Sequence, residues 1–139
     1  MPSHHFDEQY ITDITYDDGD RYSGIVIVTD KQHMNFKISN YTSCCEDYGI
    51  TVLINERERV INDSKDIDDF KDDLIGQKVL CVKHYHDGVR DFRDAGDEAN
   101  FEIKTTDKEI IISLWNEHNG YYPHDYVVNW NDYTDSGTL

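Results

Sequence analysis

Short runs of β-branched and aromatic residues, each cut off by a turn signal, leave this chain few alternatives to antiparallel sheet. Gln9 to Tyr16 carries Tyr10, Ile11, Ile14 and Tyr16. Asp17-Asp18-Gly19-Asp20 then supplies turn residues before the run that ends at Thr29 and contains YSGIVIVT. Asp30-Lys31-Gln32 turns the chain again into His33 to Ser39, where Met34, Phe36 and Ile38 share one strand face. The first part of the chain therefore reads as a meander. Tyr48 to Ile54, Gln77 to Tyr85, Asn100 to Thr105, Glu109 to Trp115 and Asp125 to Trp130 continue the pattern, with a hairpin about Thr106-Asp107-Lys108. Gly49 is expected at a bulge or a close backbone approach, and Asn55 to Arg59 reads as a solvated charge run.

One segment changes period. Between Asn62 and Gly76, Ile67, Phe70, Leu74 and Ile75 recur at helical spacing, Asp63 or Ser64 can cap the start, and Gly76 suits the end. The spacing predicts one helix over residues 63–75, with Asp66, Asp69, Asp72 and Asp73 outward or flanking. The expected fold class is α+β: a mostly antiparallel twisted sheet of seven or eight strands with this helix packed on one face. A chain of 139 residues suits a single domain over 1–139, with flexible or peripheral ends at 1–8 and 131–139.

The balance of 29 acidic against 13 basic residues gives a net charge of -16. Such a field repels nucleic-acid phosphates and membrane surfaces and favours a basic partner. The sequence contains no apolar run of bilayer length and no signal-peptide pattern at its start. The three cysteines, Cys44, Cys45 and Cys81, suit reduced thiols better than a disulfide framework, so a cytoplasmic setting is expected.

The densest chemistry lies in WNEHNGYYPHDY, Trp115 to Tyr126. His118, Asn119, Tyr121, Tyr122 and His124 there combine stacking faces with donors and acceptors, the equipment to hold a base, sugar or peptide group. The competing reading is a structural corner in which tyrosines cover a sheet end. Cys44, Cys45, His118 and His124 are the weak metal candidates, and adjacent cysteines diverge in extended backbone instead of chelating as CxxC pairs do. Neither metal nor cofactor is expected. His84-Tyr85-His86 sets two imidazoles on the strand face of Leu80 and Val82, which two ligands alone do not make into a site. A thiol nucleophile drawn from Cys44, Cys45 or Cys81, with His118 and Asn119 or Asp125, matches no characterised local pattern. The carboxylate pairs Asp17-Asp18 and Asp72-Asp73 read as solvated, and no phosphate-binding or dinucleotide-binding pattern accompanies them. An enzyme is not expected.

Cys44-Cys45-Glu46-Asp47-Tyr48-Gly49 together with His118-Asn119-Gly120-Tyr121-Tyr122-Pro123-His124 resembles an uncharacterised small domain family of phages and bacterial mobile elements, over Asn40 to Trp130. That resemblance transfers no catalytic residue. It implies a viral or mobile-element setting, in the host cytoplasm, where small acidic proteins often block host defence enzymes. The expected function is an acidic, non-enzymatic, nucleic-acid-mimicking inhibitor of a host nucleic-acid-handling or defence complex. Asp63, Asp66, Asp69, Asp72 and Asp73 would meet the partner's basic protein surface. The alternatives are a nucleotide-like ligand binder or sponge using residues 115–126, and a metal-dependent or thiol-dependent enzyme. Homo-oligomerisation is left open.

Overall fold

The computed structural model describes residues 4–5, 8–40, 48–89, 96–117, 123–131 and 133–139. Eleven strands follow one another as β1 (His4–His5), β2 (Ile11–Asp18), β3 (Tyr22–Thr29), β4 (His33–Ser39), β5 (Tyr48–Ile54), β6 (Arg57–Ile61), β7 (Val79–His84), β8 (Asp97–Thr105), β9 (Glu109–Asn116), β10 (Asp125–Trp130) and β11 (Tyr133–Thr138). Two short helices, α1 (Ser64–Asp68) and α2 (Lys71–Leu74), lie between β6 and β7. The chain is thus mostly antiparallel sheet with little helix, and none of its described helices is long and apolar enough to cross a membrane.

The expectation of one sheet is corrected to two. A six-stranded sheet runs β1-β7-β8-β9-β5-β6 and a five-stranded sheet runs β11-β10-β4-β3-β2. The reason is the supply of apolar faces, since a strand face carrying Ile25, Ile27, Met34, Phe36 and Trp130 must be covered. Ile103, Ile112, Leu114 and Phe101 of the other sheet are likewise buried to 0–1% exposure. Phe36 and Phe101 meet across the interface at 5.9 Å between ring centroids, and Trp130 closes the cluster 6.0 Å from Phe101.

The two sheets are also joined through backbone. Ile11 N–H donates to the Gln77 carbonyl at 2.9 Å and Val79 N–H to the Gln9 carbonyl at 3.0 Å, so the start of β2 pairs with the approach to β7. Each strand shifts register at this seam, between Ile11 and Asp13 in β2 and between Val79 and Cys81 in β7. The extra residue lets Ile11 and Ile14, and likewise Val79 and Val82, all point inward despite their odd spacing. It also turns Leu80 outward, 48% exposed, which corrects the expectation that Leu80, Val82 and His84 share a face. Gln9, 2% exposed, lies beside the seam and accepts from the Thr29 hydroxyl at 2.6 Å and from Gln32 Nε2 at 3.2 Å.

The single helix expected over 63–75 is two. Asp63 accepts from Lys65 N–H and Asp66 N–H, and Asp66 accepts in return from Asp63 N–H at 3.3 Å, a complete capping box to which Asn62 N–H adds a bond at 2.8 Å. Helical dihedrals then fail at Phe70 (φ -132, ψ -9), whose ring is drawn into the core at 3% exposure. Aspartate-rich sequence has little intrinsic helix propensity to resist that pull. Ile67, Phe70 and Leu74 are buried as the stripe requires, whereas Ile75 is exposed. The segment lies along β2: Asp63 acts electrostatically on Tyr16 near one end, and Gly76 N–H donates to the Ile11 carbonyl at the other. Because α1 also packs on β6, it spans the edge strands of both sheets.

The solvated charge run and the chain end at 131–139 each supply an edge strand. Asn55 and Glu56, both with positive φ, form the two-residue turn that returns the chain into β6. The end at 131–139 supplies β11, and Leu139 is buried with its backbone paired in both directions to His124.

Gly24 in β3 has no room for a side chain, because a Cβ there would lie 2.1 Å from the Phe36 carbonyl oxygen. Gly24→Ala is expected to cost about 3 kcal/mol in urea denaturation. Gly88→Ala, whose Cβ would meet only Glu98 Oε1 at the ordinary contact distance of 3.4 Å, should leave the midpoint nearly unchanged.

Candidate binding site

Between the edges spanned by α1 the sheets leave a cavity of about 410 Å³. Its floor is apolar, with Ile38 from β4, Ile50 from β5 and Ile61 from β6 each 2% exposed. Its polar wall comes from the β2–β3 hairpin. Register sets Asp18 opposite Ser23, and the Ser23 hydroxyl donates to Asp18 Oδ1 at 2.7 Å. Asn40, at the end of β4, spends both amide protons, one on the Gly19 carbonyl at 2.7 Å and one on Ser23 Oγ at 3.0 Å. Because the carbonyl of Gly19 can only accept, the amide orientation of Asn40 is fixed, with Oδ1 turned away. Tyr16 also lines this wall, and burial chiefly holds its phenol above the usual tyrosine range. Tyr48, Gly49 and Asn62 complete the lining.

A second concavity of about 480 Å³ lies on the outer face of the six-stranded sheet, beside Leu53, Tyr85 and Ile111. Glu56 and Glu109 border it, and a hydrogen bond with Glu102 raises the Glu109 carboxyl above its ordinary range, helped by the Glu102 charge. Glu102 is itself buried and paired with Lys83 at 3.2 Å.

A third polar group forms where β7, β10 and β11 meet. His84 Nε2 lies 2.8 Å from the Tyr133 hydroxyl and 3.6 Å from Asp135, and the Tyr126 hydroxyl donates to Asp135 at 3.2 Å. The His84 ring packs on Phe101 and Trp130, with His86 stacked at 6.1 Å. Burial, followed by the Asp135 charge, pushes the Tyr126 phenol up to about 12, and burial raises Tyr133 as well. His84 and His86 do stand together at the border of the core, as their spacing suggests.

The other expected site residues separate. Asp63 and Asp66 are committed to the helix cap, while Asp69, Asp72 and Asp73 are exposed. His124 is 1% exposed, with Nδ1 3.0 Å from the Ser39 carbonyl and its ring stacked 3.9 Å from Tyr48. It is a packed residue of the corner that holds Leu139. His118, Asn119, Tyr121 and Tyr122, and also Cys44 and Cys45, lie outside the described residues. Among the described residues no group of three or more histidines, cysteines or carboxylates is arranged to hold a metal. Asp18, Ser23 and Asn40 were not distinguishable in sequence from ordinary turn residues. The available signal was the hairpin register that sets Asp18 against Ser23.

Two measurements follow. His124→Ala is expected to lose about 2–4 kcal/mol by calorimetry, because it empties a packed site. Tyr126 is protonated more tightly in the fold than in the unfolded chain, so its contribution to stability is complete below about pH 10 and is lost as pH rises toward 12. Alkaline denaturation of Tyr126→Phe should lack that part of the decline, and its ultraviolet titration should lose a tyrosine that ionises near pH 12. The chain matches no family model, no curated protein and no solved structure.

Proposed function

We propose that this chain is an acidic, non-enzymatic binding protein that occupies a basic groove in place of nucleic acid. The observation that carries the reading is the helical edge. Of its carboxylates, Asp63 and Asp66 serve the cap and Asp68 pairs with Lys71 at 3.3 Å. Asp69, Asp72 and Asp73 are exposed and have no cation within ion-pair distance among the described residues. A row of uncompensated like charges costs stability through self-repulsion, and a net charge of -16 extends the same field over the molecule. A positively charged groove would relieve that repulsion and gain in association rate. The partner class is a host nucleic-acid-handling or defence protein, in keeping with the phage-like motifs.

The competing reading as a nucleotide-like ligand binder gains nothing from the cavity. Asp18 stands at its wall, and a carboxylate disfavours a phosphate there.

Pull-down from bacterial lysate tests the proposal. Basic nucleic-acid-binding proteins should be captured at about 50 mM salt, released by about 300 mM, and displaced by added duplex DNA. Asp69→Asn/Asp72→Asn/Asp73→Asn should weaken capture severalfold. Capture that ignores salt, DNA and this triple substitution would refute the reading.

A further inference from the structure

We propose that the cavity between the sheets seats one arginine side chain of the basic partner, an assignment that rests on the binding function proposed above. The argument is a count of unspent hydrogen-bonding capacity. Ser23, 6% exposed, uses its proton on Asp18 Oδ1 and accepts from Asn40 Nδ2. Asn40 uses both amide protons on Gly19 and Ser23. Within the Asp18–Ser23–Asn40 group the donors are therefore occupied and acceptors remain open. Asp18 Oδ2 and Asn40 Oδ1 accept nothing from any described residue, and the side chain of Asn62 at the rim is likewise uncommitted.

A wall of acceptors that includes a carboxylate selects a cationic donor and rejects an anion. Two features favour guanidinium over ammonium. The acceptors come from separate elements, the β2–β3 hairpin, the end of β4 and the residue after β6, which suits a planar group with five N–H donors. The floor of Ile38, Ile50 and Ile61 also offers apolar cover for a methylene stem. A volume of about 410 Å³ admits such a side chain together with water. Asn62 at the cavity rim leads directly into the Asp63 cap, and the exposed Asp69, Asp72 and Asp73 follow along the same segment. One basic partner could thus meet both.

The test uses the full chain and N-acetyl-arginine amide, followed by amide proton–nitrogen correlation spectra. Saturable shifts are expected at Ser23, Asn40 and Gly49, with N-acetyl-lysine amide binding severalfold more weakly. Asp18→Asn keeps an oxygen for Ser23 but removes the charge, and should weaken arginine-amide binding about tenfold or more. Asn62→Ala, at the exposed rim, should weaken it severalfold without touching the hairpin. Glu58→Gln on β6, which removes an equal charge elsewhere, should have no effect. Equal binding of the lysine amide, shifts that map away from the cavity, or wild-type affinity in Asp18→Asn would overturn the assignment. Hexa-arginine separates the two levels of argument. If it binds in a salt-dependent way with equal affinity to wild type and Asp18→Asn, the arginine seat is wrong and the acidic binding surface stands. If neither it nor the arginine amide binds at low salt, both readings fall.

Discussion

The seam between Gln9–Ile11 and Gln77–Val79 fixes how the rest of this molecule is assembled. Two sheets held only by interdigitating side chains could settle into several relative positions, because apolar contact is not directional. Here a short backbone ladder joins them, and leaving its buried groups unpaired would cost more than the net gain of making each bond. The register shifts on both strands are its geometric condition. They turn Ile11, Ile14, Val79 and Val82 inward together, so that the ladder and the core agree.

The cavity follows from the same arrangement. The helical segment is tied at Gly76 to the seam and at Asp63 to the cap, and α1 spans the edges of β2 and β6. Ile67, Phe70 and Leu74 of the segment are buried, none of them lines the cavity, and Asn62 before the cap is what this side contributes to it. The polar wall survives because the Ser23 hydroxyl both donates to Asp18 and accepts from Asn40, which removes the penalty for burying it.

Much of the sheet was legible in the sequence. Met34, Phe36 and Ile38 share a face by alternation alone, and all are buried to 2% or less. The division into two sheets was not legible, because identical alternation fits one sheet or two and the deciding events are one-residue bulges. Strand β6 escaped because Arg57, Glu58 and Arg59 lie on an edge that buries no apolar side chain until Ile61. Strand β11 escaped because Asp135, Ser136 and Gly137 disfavour strand locally, and its pairing with β10 supplies the stability instead. The helix stripe was correct in Ile67, Phe70 and Leu74, while the break at Phe70 is a tertiary effect of its buried ring. Of the candidate site, charge and the caps could be read directly. The hydrogen-bond saturation of Ser23 and Asn40 required the two hairpin strands and the end of β4 in place together.

Gly49 pairs with Trp115, and the indole lies so close that a Cβ at Gly49 would stand 3.1 Å from its ring. The same glycine lines the cavity, so a single thickness of backbone separates that space from a tryptophan on the outer face of the sheet. Trp115 is itself held by its Nε1 hydrogen bond to Thr51 at 3.0 Å. One wall of the cavity is therefore backed directly by an indole, an intrinsic fluorophore set a single strand's thickness from that space.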